Sequence, residues 1–236
     1  MSKERELAVV TGASRGIGMG IALRFADEDK DVILFGRDKE ALKKVEEKIN
    51  SKHANAEIFA GDVADEKFVK NSVDKILEKY GKVDHLINNA GTRVFKNIAE
   101  ASLDDFKKQV DANLYGVFNF TNAVLPSMIK RKSGSIINIS SLAGKNSFAT
   151  GAMYSATKHA VLGFTKSLML EVREYNIRVA SVNPGSVNTE FFNGTSMKPN
   201  KDKILQVEDV AEVVSSIIKL PVRALASDID IRPTNP

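Results

Sequence analysis

Tyr154 and Lys158 stand four residues apart in the run Tyr154-Ser-Ala-Thr-Lys158, early in an apolar stretch with helical periodicity. Residues i and i+4 share one face of a helix, so a phenol and an ammonium group can point at the same place. A free tyrosine, with a pKa of about 10, is poorly matched to proton transfer near neutrality. A cation about 4 Å away favours the phenolate by roughly 4 kcal/mol at an effective dielectric near 20, worth about 3 pH units. The pair therefore has the means to serve a reaction in which an oxygen gains or loses a proton. Reduction of a carbonyl is one such reaction, because a hydride leaves an alkoxide behind, and the Ser141 hydroxyl is of the right type to donate a hydrogen bond to that oxygen. An isolated Tyr–Lys pair is more often a packed tyrosine beside an exposed lysine, so its meaning depends on its surroundings.

Other chemistries find little support. His53, His85 and His159 stand singly, without metal-ligand spacing, and read as surface or packing residues, so no metal site is expected. Ser141 as a nucleophile would need a histidine base and a strained elbow such as G-x-S-x-G, which the sequence lacks. The chain has no cysteine, which excludes disulfides, thiol catalysis and cysteine-ligated zinc. Its formal charge of +4 is scattered along the chain and gives no basic cluster for nucleic acid or an anionic membrane. The apolar run Leu7 to Val10 is too short for a signal-peptide core, and no segment approaches the roughly 20 apolar residues of a membrane span. A soluble, cytoplasmic protein is the expectation.

The elements that must position these residues follow from the hydrophobic pattern. The 236 residues, 43% hydrophobic and 27% charged, suit one domain spanning 1–236. Short apolar runs at Leu7–Val10, Val32–Phe35, Glu57–Ala60, His85–Asn88, Ser135–Ile139 and Ile177–Val182 read as strands. Helical stretches lie near Gly18–Glu28, Lys39–Asn50, Glu66–Tyr80, Leu103–Ile129 and Met153–Tyr175. Alternation of helices with strands apolar on both faces predicts a Rossmann-type, doubly wound parallel sheet in a three-layer α/β/α domain. Ligands of such sheets bind where the carboxyl ends of the strands open into a crevice.

The residues just beyond each strand are therefore the informative ones. After the first comes Thr11-Gly-Ala-Ser-Arg-Gly-Ile-Gly18. Glycines at 12, 16 and 18 allow backbone to approach a phosphate, and the next helix presents free N–H groups. After the second strand, where NAD-preferring folds usually carry an acid, the chain has Gly36-Arg37. Arg37 can pair with a 2′-phosphate, and Arg15 supplies a second positive charge. Asp38 reads as an N-cap for the next helix rather than a ribose ligand. NADP(H) is thus preferred as cofactor, with NAD(H) possible. Asp62-Val63, Asn88-Asn-Ala-Gly91 and Ser140-Ser141 stand after the next strands. Each alone is ordinary turn chemistry, but so many polar clusters at successive strand ends are hard to dismiss that way.

Together, TGASRGIG (11–18), NNAG (88–91), Asn113, Ser141, YSATK (154–158) and Pro184-Gly185 followed by Val187 and Thr189 resemble the short-chain dehydrogenase/reductase family. The resemblance covers nearly the whole chain, in family order. It implies an NAD(P)-dependent oxidoreductase acting on CH–OH groups, with Tyr154 as acid/base and Ser141 orienting the substrate oxygen. It further implies that Lys158 binds the nicotinamide ribose and lowers the tyrosine pKa, while Asn113 holds a water in the proton relay. Cofactor contacts are implied for Gly12, Ser14, Arg15, Gly16, Ile17 and Gly18, and for Arg37. Asp62 and Val63 would flank adenine, and Asn89, Ala90 and Gly91 would line the adenosine ribose. Tyr154, Lys158, Pro184, Gly185, Val187 and Thr189 complete that set, with Val187 at the carboxamide. Members usually form tetramers through two long helices, and the apolar character of 106–129 and 153–172 is compatible with a homotetramer.

For the substrate, a short segment at 188–206 is expected to cover the site, and from Phe191 to Gln206 it reads as polar. The tail Asp228-Ile-Asp-Ile-Arg-Pro-Thr-Asn-Pro236 looks like that of members acting on 3-hydroxy acids such as serine, or on other small carbonyl compounds. It lacks the glycine pair that ends many relatives reducing 3-oxoacyl groups on acyl carrier protein, and Lys130-Arg131-Lys132 only partly suggests a basic patch for that carrier. A small 3-oxo or 3-hydroxy acid, or a related carbonyl compound, is therefore expected first and the 3-oxoacyl-[acyl-carrier-protein] reductase role second. A non-catalytic dinucleotide-binding regulator would have little need of serine, tyrosine, lysine and asparagine together. A sugar-nucleotide epimerase usually needs a larger substrate-binding portion and a differently spaced glycine turn. Replacing Arg37 with Asp is expected to shift the kcat/KM ratio towards NADH, measured with both cofactors; an unchanged ratio contradicts the assignment of Arg37.

Overall fold

A computed structural model describes residues 5–52, 54–195 and 199–235, so His53 lies outside the described residues. The strands are β1 (Leu7–Thr11), β2 (Asp31–Gly36), β3 (Ala56–Ala60), β4 (His85–Asn88), β5 (Gly134–Ile139), β6 (Ile177–Pro184) and β7 (Asp228–Ile231). The helices are α1 (Gly16–Asp27), α2 (Lys39–Asn50), α3 (Glu66–Tyr80), α4 (Leu103–Val110), α5 (Gly116–Arg131), α6 (Ala152–Val172) and α7 (Val207–Lys219). The strands pair in parallel in the order β3-β2-β1-β4-β5-β6-β7. The chain winds outward from β1 to β3, returns to β4 and runs the other way, which places the topological switch between β1 and β4.

Alternation along β1 divides the core between two layers. Ala8 and Val10 face α1, α2 and α7, meeting Phe25, Leu42 and Val214, whereas Leu7 and Val9 face α3, α5 and α6, meeting Val73, Phe120 and Leu168. All of these side chains are buried. This two-sided burial explains why the strands read as continuous apolar runs. The expected bounds of β4, α2 and α3 coincide with the observed ones. Asp38 and Asp65 cap the last two through the N–H groups of Ala41 and Phe68, both at 3.0 Å.

Three differences from the sequence reading have local causes. The helix expected over 103–129 is interrupted by a π-helical turn at Asp111–Tyr115, which inserts one extra residue and sets Asn113 in the interior. Helix α7 was not anticipated, although the Asp209 carboxylate accepts from Gln206 N at 2.8 Å at its start. The tail supplies β7, whose alternating Asp228-Ile-Asp-Ile carries too many acids to read as a strand. Asn183 of β6 donates to Asp228 at 2.6 Å, and Lys145 bridges Asp228 (2.8 Å) and Asp230 (2.7 Å), so the acids are held by partners outside the strand.

At the switch, the Thr11 hydroxyl accepts hydrogen bonds from the N–H groups of Asn89 (2.9 Å) and Ala90 (3.0 Å) and donates to Ile87 O (3.3 Å). The Asn89 amide returns to Thr11 O (2.9 Å) and Gly12 O (3.2 Å). The ends of β1 and β4 are thereby locked side by side. Thr11→Val keeps the shape but strands two N–H groups, so urea unfolding should show a loss of about 1–3 kcal/mol; an unchanged midpoint would show that the tie contributes nothing.

Candidate active site

The carboxyl ends of β1 to β6 open into one cleft of about 900 Å³. That volume lies within the range of cofactor and small-molecule sites. Its walls include Gly12 and Ser14 to Ile17 after β1, Arg37 after β2, and Asp62 and Val63 after β3. They continue with Asn89 to Arg93 after β4, Ser140 and Ser141 after β5, and Pro184 to Val187 after β6. Of the residues anticipated from sequence, Gly18 and Asn113 stand behind this surface; the others line it.

The first turn is built for close approach. Gly12 has φ +65° and Gly16 φ +55°, a region that side chains disfavour. A Cβ on Gly18 would fall 2.3 Å from Gly12 O, so the start of α1 packs directly onto the turn. The side chain of Arg15, at the N-cap position of α1, does not cap the helix, whereas α2, α3 and α4 are capped by Asp38, Asp65 and Ser102. Free N–H groups and the positive dipole end of α1 thus meet the cleft where Gly16 and Ile17 line it. Arg37 is exposed, and Arg15 reaches Glu190 at 3.1 Å across the mouth. Both arginines stand beside the turn, while Asp38 is spent as a cap. These residues fit a dinucleotide bearing phosphates.

Deeper in, α6 brings Tyr154 and Lys158 against the end of β5. Tyr154 is 7% exposed and Lys158 6% exposed. The Lys158 ammonium donates to Ile139 O at 3.0 Å and lies 5.8 Å from the centre of the Tyr154 ring. Burial pushes the tyrosine up to about 12, against the opposing effects of a Ser141 hydrogen bond and the Arg93 charge. Burial likewise pushes Lys158 down to about 8. The expectation that Lys158 lowers the tyrosine pKa is therefore corrected for the protein alone. Lys158 is not among the groups that act on the phenol, and desolvation outweighs the lowering effects of Ser141 and Arg93.

Ser141 begins a short 3₁₀ turn, and its oxygen accepts from Ala143 N at 3.1 Å. Asn113 places its side chain elsewhere than the cleft. It accepts from Thr92 N at 2.7 Å and donates to Thr92 O and Thr157 Oγ1, each at 2.9 Å. It is a clamp between the π-helical turn, the segment after β4 and α6. His85 packs in the interior beside Glu6, and His159 bonds the Ser155 carbonyl; neither lines the cleft. Among the described residues no acidic or histidine cluster is placed to hold a metal ion, and no helix is long and apolar enough to cross a membrane.

Sequence reasoning missed Arg93, Phe95 and Phe148, all of which line the cleft. It also took the segment from Phe191 as polar, yet Phe191 and Phe192 turn inward to the same cleft. Only the position of Arg93, two residues beyond Gly91 at a strand end, could have marked it.

The Lys158 shift has a consequence for stability. Unfolded lysine takes its proton near 10.5, whereas the folded group resists protonation until about pH 8. The unfolded chain therefore binds more protons in this window, and stability falls as pH is lowered through it. Relative to Lys158→Met, the wild type should be about 2 kcal/mol less stable at pH 8 than at pH 10, measured by urea unfolding. A difference independent of pH would contradict a buried, destabilised ammonium.

Comparison with known proteins gives the same picture. An uncharacterized oxidoreductase of Staphylococcus saprophyticus is 36% identical over 229 residues, covering 97% of each chain. A 3-oxoacyl-[acyl-carrier-protein] reductase of Chlamydia muridarum is 37% identical over 190 residues, which is 80% of this chain and 77% of that one. The structure of an alcohol dehydrogenase from Thermococcus sibiricus complexed with 5-hydroxy-NADP superposes with a TM-score of 0.90, at 28% identity, over 98% of this chain and 97% of that one. The family profile described as short chain dehydrogenase matches residues 6–200. The chain belongs to the short-chain dehydrogenase/reductase family and is an NAD(P)-dependent oxidoreductase.

Proposed function

We propose that this protein interconverts a carbonyl and a secondary alcohol with NADP(H), Tyr154 handling the proton. The observation that carries this reading is the convergence of Tyr154, Ser141 and Lys158 on the cleft that also receives the uncapped N-terminus of α1. NADP(H) bound there supplies or accepts the hydride. Gly12, Ser14, Gly16 and Ile17 would hold its phosphates, and Arg15 and Arg37 the 2′-phosphate that favours NADP(H) over NAD(H). Asp62, Val63 and Asn89 to Gly91 would enclose the adenosine half. Pro184, Gly185, Val187 and Thr189 would meet the nicotinamide half beside Lys158.

The chain's own residues then manage one oxygen and one proton. Ser141 donates to the carbonyl oxygen and holds it beside the phenol. Tyr154, with its pKa pushed up to about 12, stays protonated through the neutral range and gives its proton as the oxygen becomes an alkoxide. Lys158, close to neutrality in its own titration, is suited to restoring that proton. Asn113, by clamping Thr92 and Thr157, fixes the turn from which a relay water would be held. The segment after β6 supplies Thr189 to Phe192 and Ile204 to the cleft wall, which supports a substrate cover at about 188–206.

A small 3-oxo or 3-hydroxy acid or related carbonyl compound is the general substrate class proposed from the sequence. The Chlamydia muridarum relative favours a second reading, reduction of 3-oxoacyl groups on acyl carrier protein. Against it, Arg131 is tied to Asp84 at 3.0 Å, just before β4, so Lys130 to Lys132 sit at the edge of the sheet opposite the cleft. Exposed Leu103, Phe118 and Leu170 on α4, α5 and α6 support a homotetramer. A cytoplasmic location accords with the absence of cysteine.

Tyr154→Phe preserves the ring and its packing, so NADPH affinity should remain near that of the wild type while turnover falls by about 10² or more. Retention of most of the turnover on a substrate used by the wild type would refute the acid/base role.

A further inference from the structure

Four phenylalanines gather around Tyr154 from three separate segments. Phe95 follows β4, Phe148 follows β5, and Phe191 and Phe192 follow β6. The Tyr154 ring meets Phe95 edge-on at 5.6 Å and Phe191 at 5.8 Å. Phe95 in turn meets Phe148 at 5.3 Å and Phe191 at 6.2 Å, both edge-on. None of the four belongs to either core layer of the domain. They line the cleft instead, so core packing does not account for them.

The wall is also held in place. Arg93 stacks its guanidinium over Phe95 (5.8 Å) and Phe191 (5.1 Å). Its Nε donates to Phe191 O and its Nη2 to Asn193 O, the latter at 2.7 Å. Gly151, three residues before Tyr154, leaves space for the Phe148 ring, which a Cβ there would approach to 2.5 Å. Arg93 is thus a positioning residue: the donors that bond the segment after β6 are turned to main-chain carbonyls.

Such a wall discriminates by shape and polarity. Aromatic rings favour a flat partner presented edge-to-face or offset, and they offer no hydrogen bonds to a carboxylate or an ammonium. The rings return no hydrogen bond to a charged hydroxy acid for the water it loses, and Arg93, the cation stacked on them, turns Nε and Nη2 to main-chain carbonyls. We propose that the substrate is a carbonyl compound, or its alcohol, that bears a flat apolar group, aromatic or conjugated, next to the reacting carbon, seated among Phe95, Phe148 and Phe191. This rests on the reading of Tyr154 as acid/base and takes the related carbonyl compounds of the proposed substrate class in place of the hydroxy acids.

The test compares kcat/KM with NADPH for benzaldehyde and acetophenone against butanal and ethyl 3-oxobutanoate, with serine and 3-hydroxybutyrate assayed in the oxidative direction with NADP⁺. The aryl compounds should lead by about tenfold or more, the scale on which apolar pockets discriminate. Phe95→Leu and Phe191→Leu should narrow that lead several-fold while NADPH affinity holds. Benzyl alcohol should raise the melting temperature of the wild-type NADP⁺ complex more than butanol does, a readout that needs neither variant nor turnover. A preference for the aliphatic ester or the hydroxy acids, in an enzyme inactivated by Tyr154→Phe, overturns the substrate class and leaves the acid/base reading intact. Turnover insensitive to Tyr154→Phe, or absent for every compound, overturns both.

Discussion

The attachment of α6 to β5 is the constraint on which the cleft depends. Lys158 donates to Ile139 O, Ser140 donates to Lys158 O at 3.2 Å, and Asn138 donates to Thr165 at 2.8 Å. From the far side, Asn113 donates to Thr157. All of these side chains are buried, where an unmatched polar group costs about 1–3 kcal/mol, so the network specifies one placement of the helix rather than merely adding affinity for it. That placement brings Tyr154 of α6 and Ser141 at the end of β5 to one cleft. The tie between Thr11 and Asn89 does the same for the dinucleotide half, two strands away.

Burial that positions the pair also tunes it. The phenol is driven towards its protonated form and the ammonium towards its neutral form, both by loss of water. The Tyr–Lys pair of the free protein is therefore not an ion pair waiting for substrate. It holds two groups whose charges are both disfavoured, and positive charge brought by an oxidised nicotinamide would alter that balance in the direction needed for oxidation. The aromatic wall belongs to the same arrangement, since Phe95 and Phe191 both pack against the Tyr154 ring.

The parts legible in the sequence are those carried by local pattern. Strands with two apolar faces, the acidic cap Asp38, and the Gly12-to-Gly18 turn each announce themselves within a few residues. The parts that were not legible depend on distant partners. Strand β7 forms because Asn183 and Lys145 accommodate its acids. The π-helical turn at Asp111–Tyr115 adds a single residue inside a continuous helical stretch, and composition does not reveal it. The phenylalanines at 95, 148 and 191 are too far apart in sequence to be seen as one surface. Their type was visible, but their common destination was not. The direction of the Tyr154 shift was hidden for the same reason, because the four-residue spacing to Lys158 says nothing of how deeply both groups are buried.

In the proposed reaction one cleft joins C4 of a nicotinamide to a carbonyl carbon, and the hydride passes directly between them. A turnover with NADPH deuterated at both C4 positions of the nicotinamide, using any carbonyl compound the protein reduces, follows that transfer. Deuterium should appear on the carbinol carbon with one stereochemistry and without exchange into solvent. Deuterium in the solvent, or a carbinol carbon labelled from heavy water instead, would contradict the account.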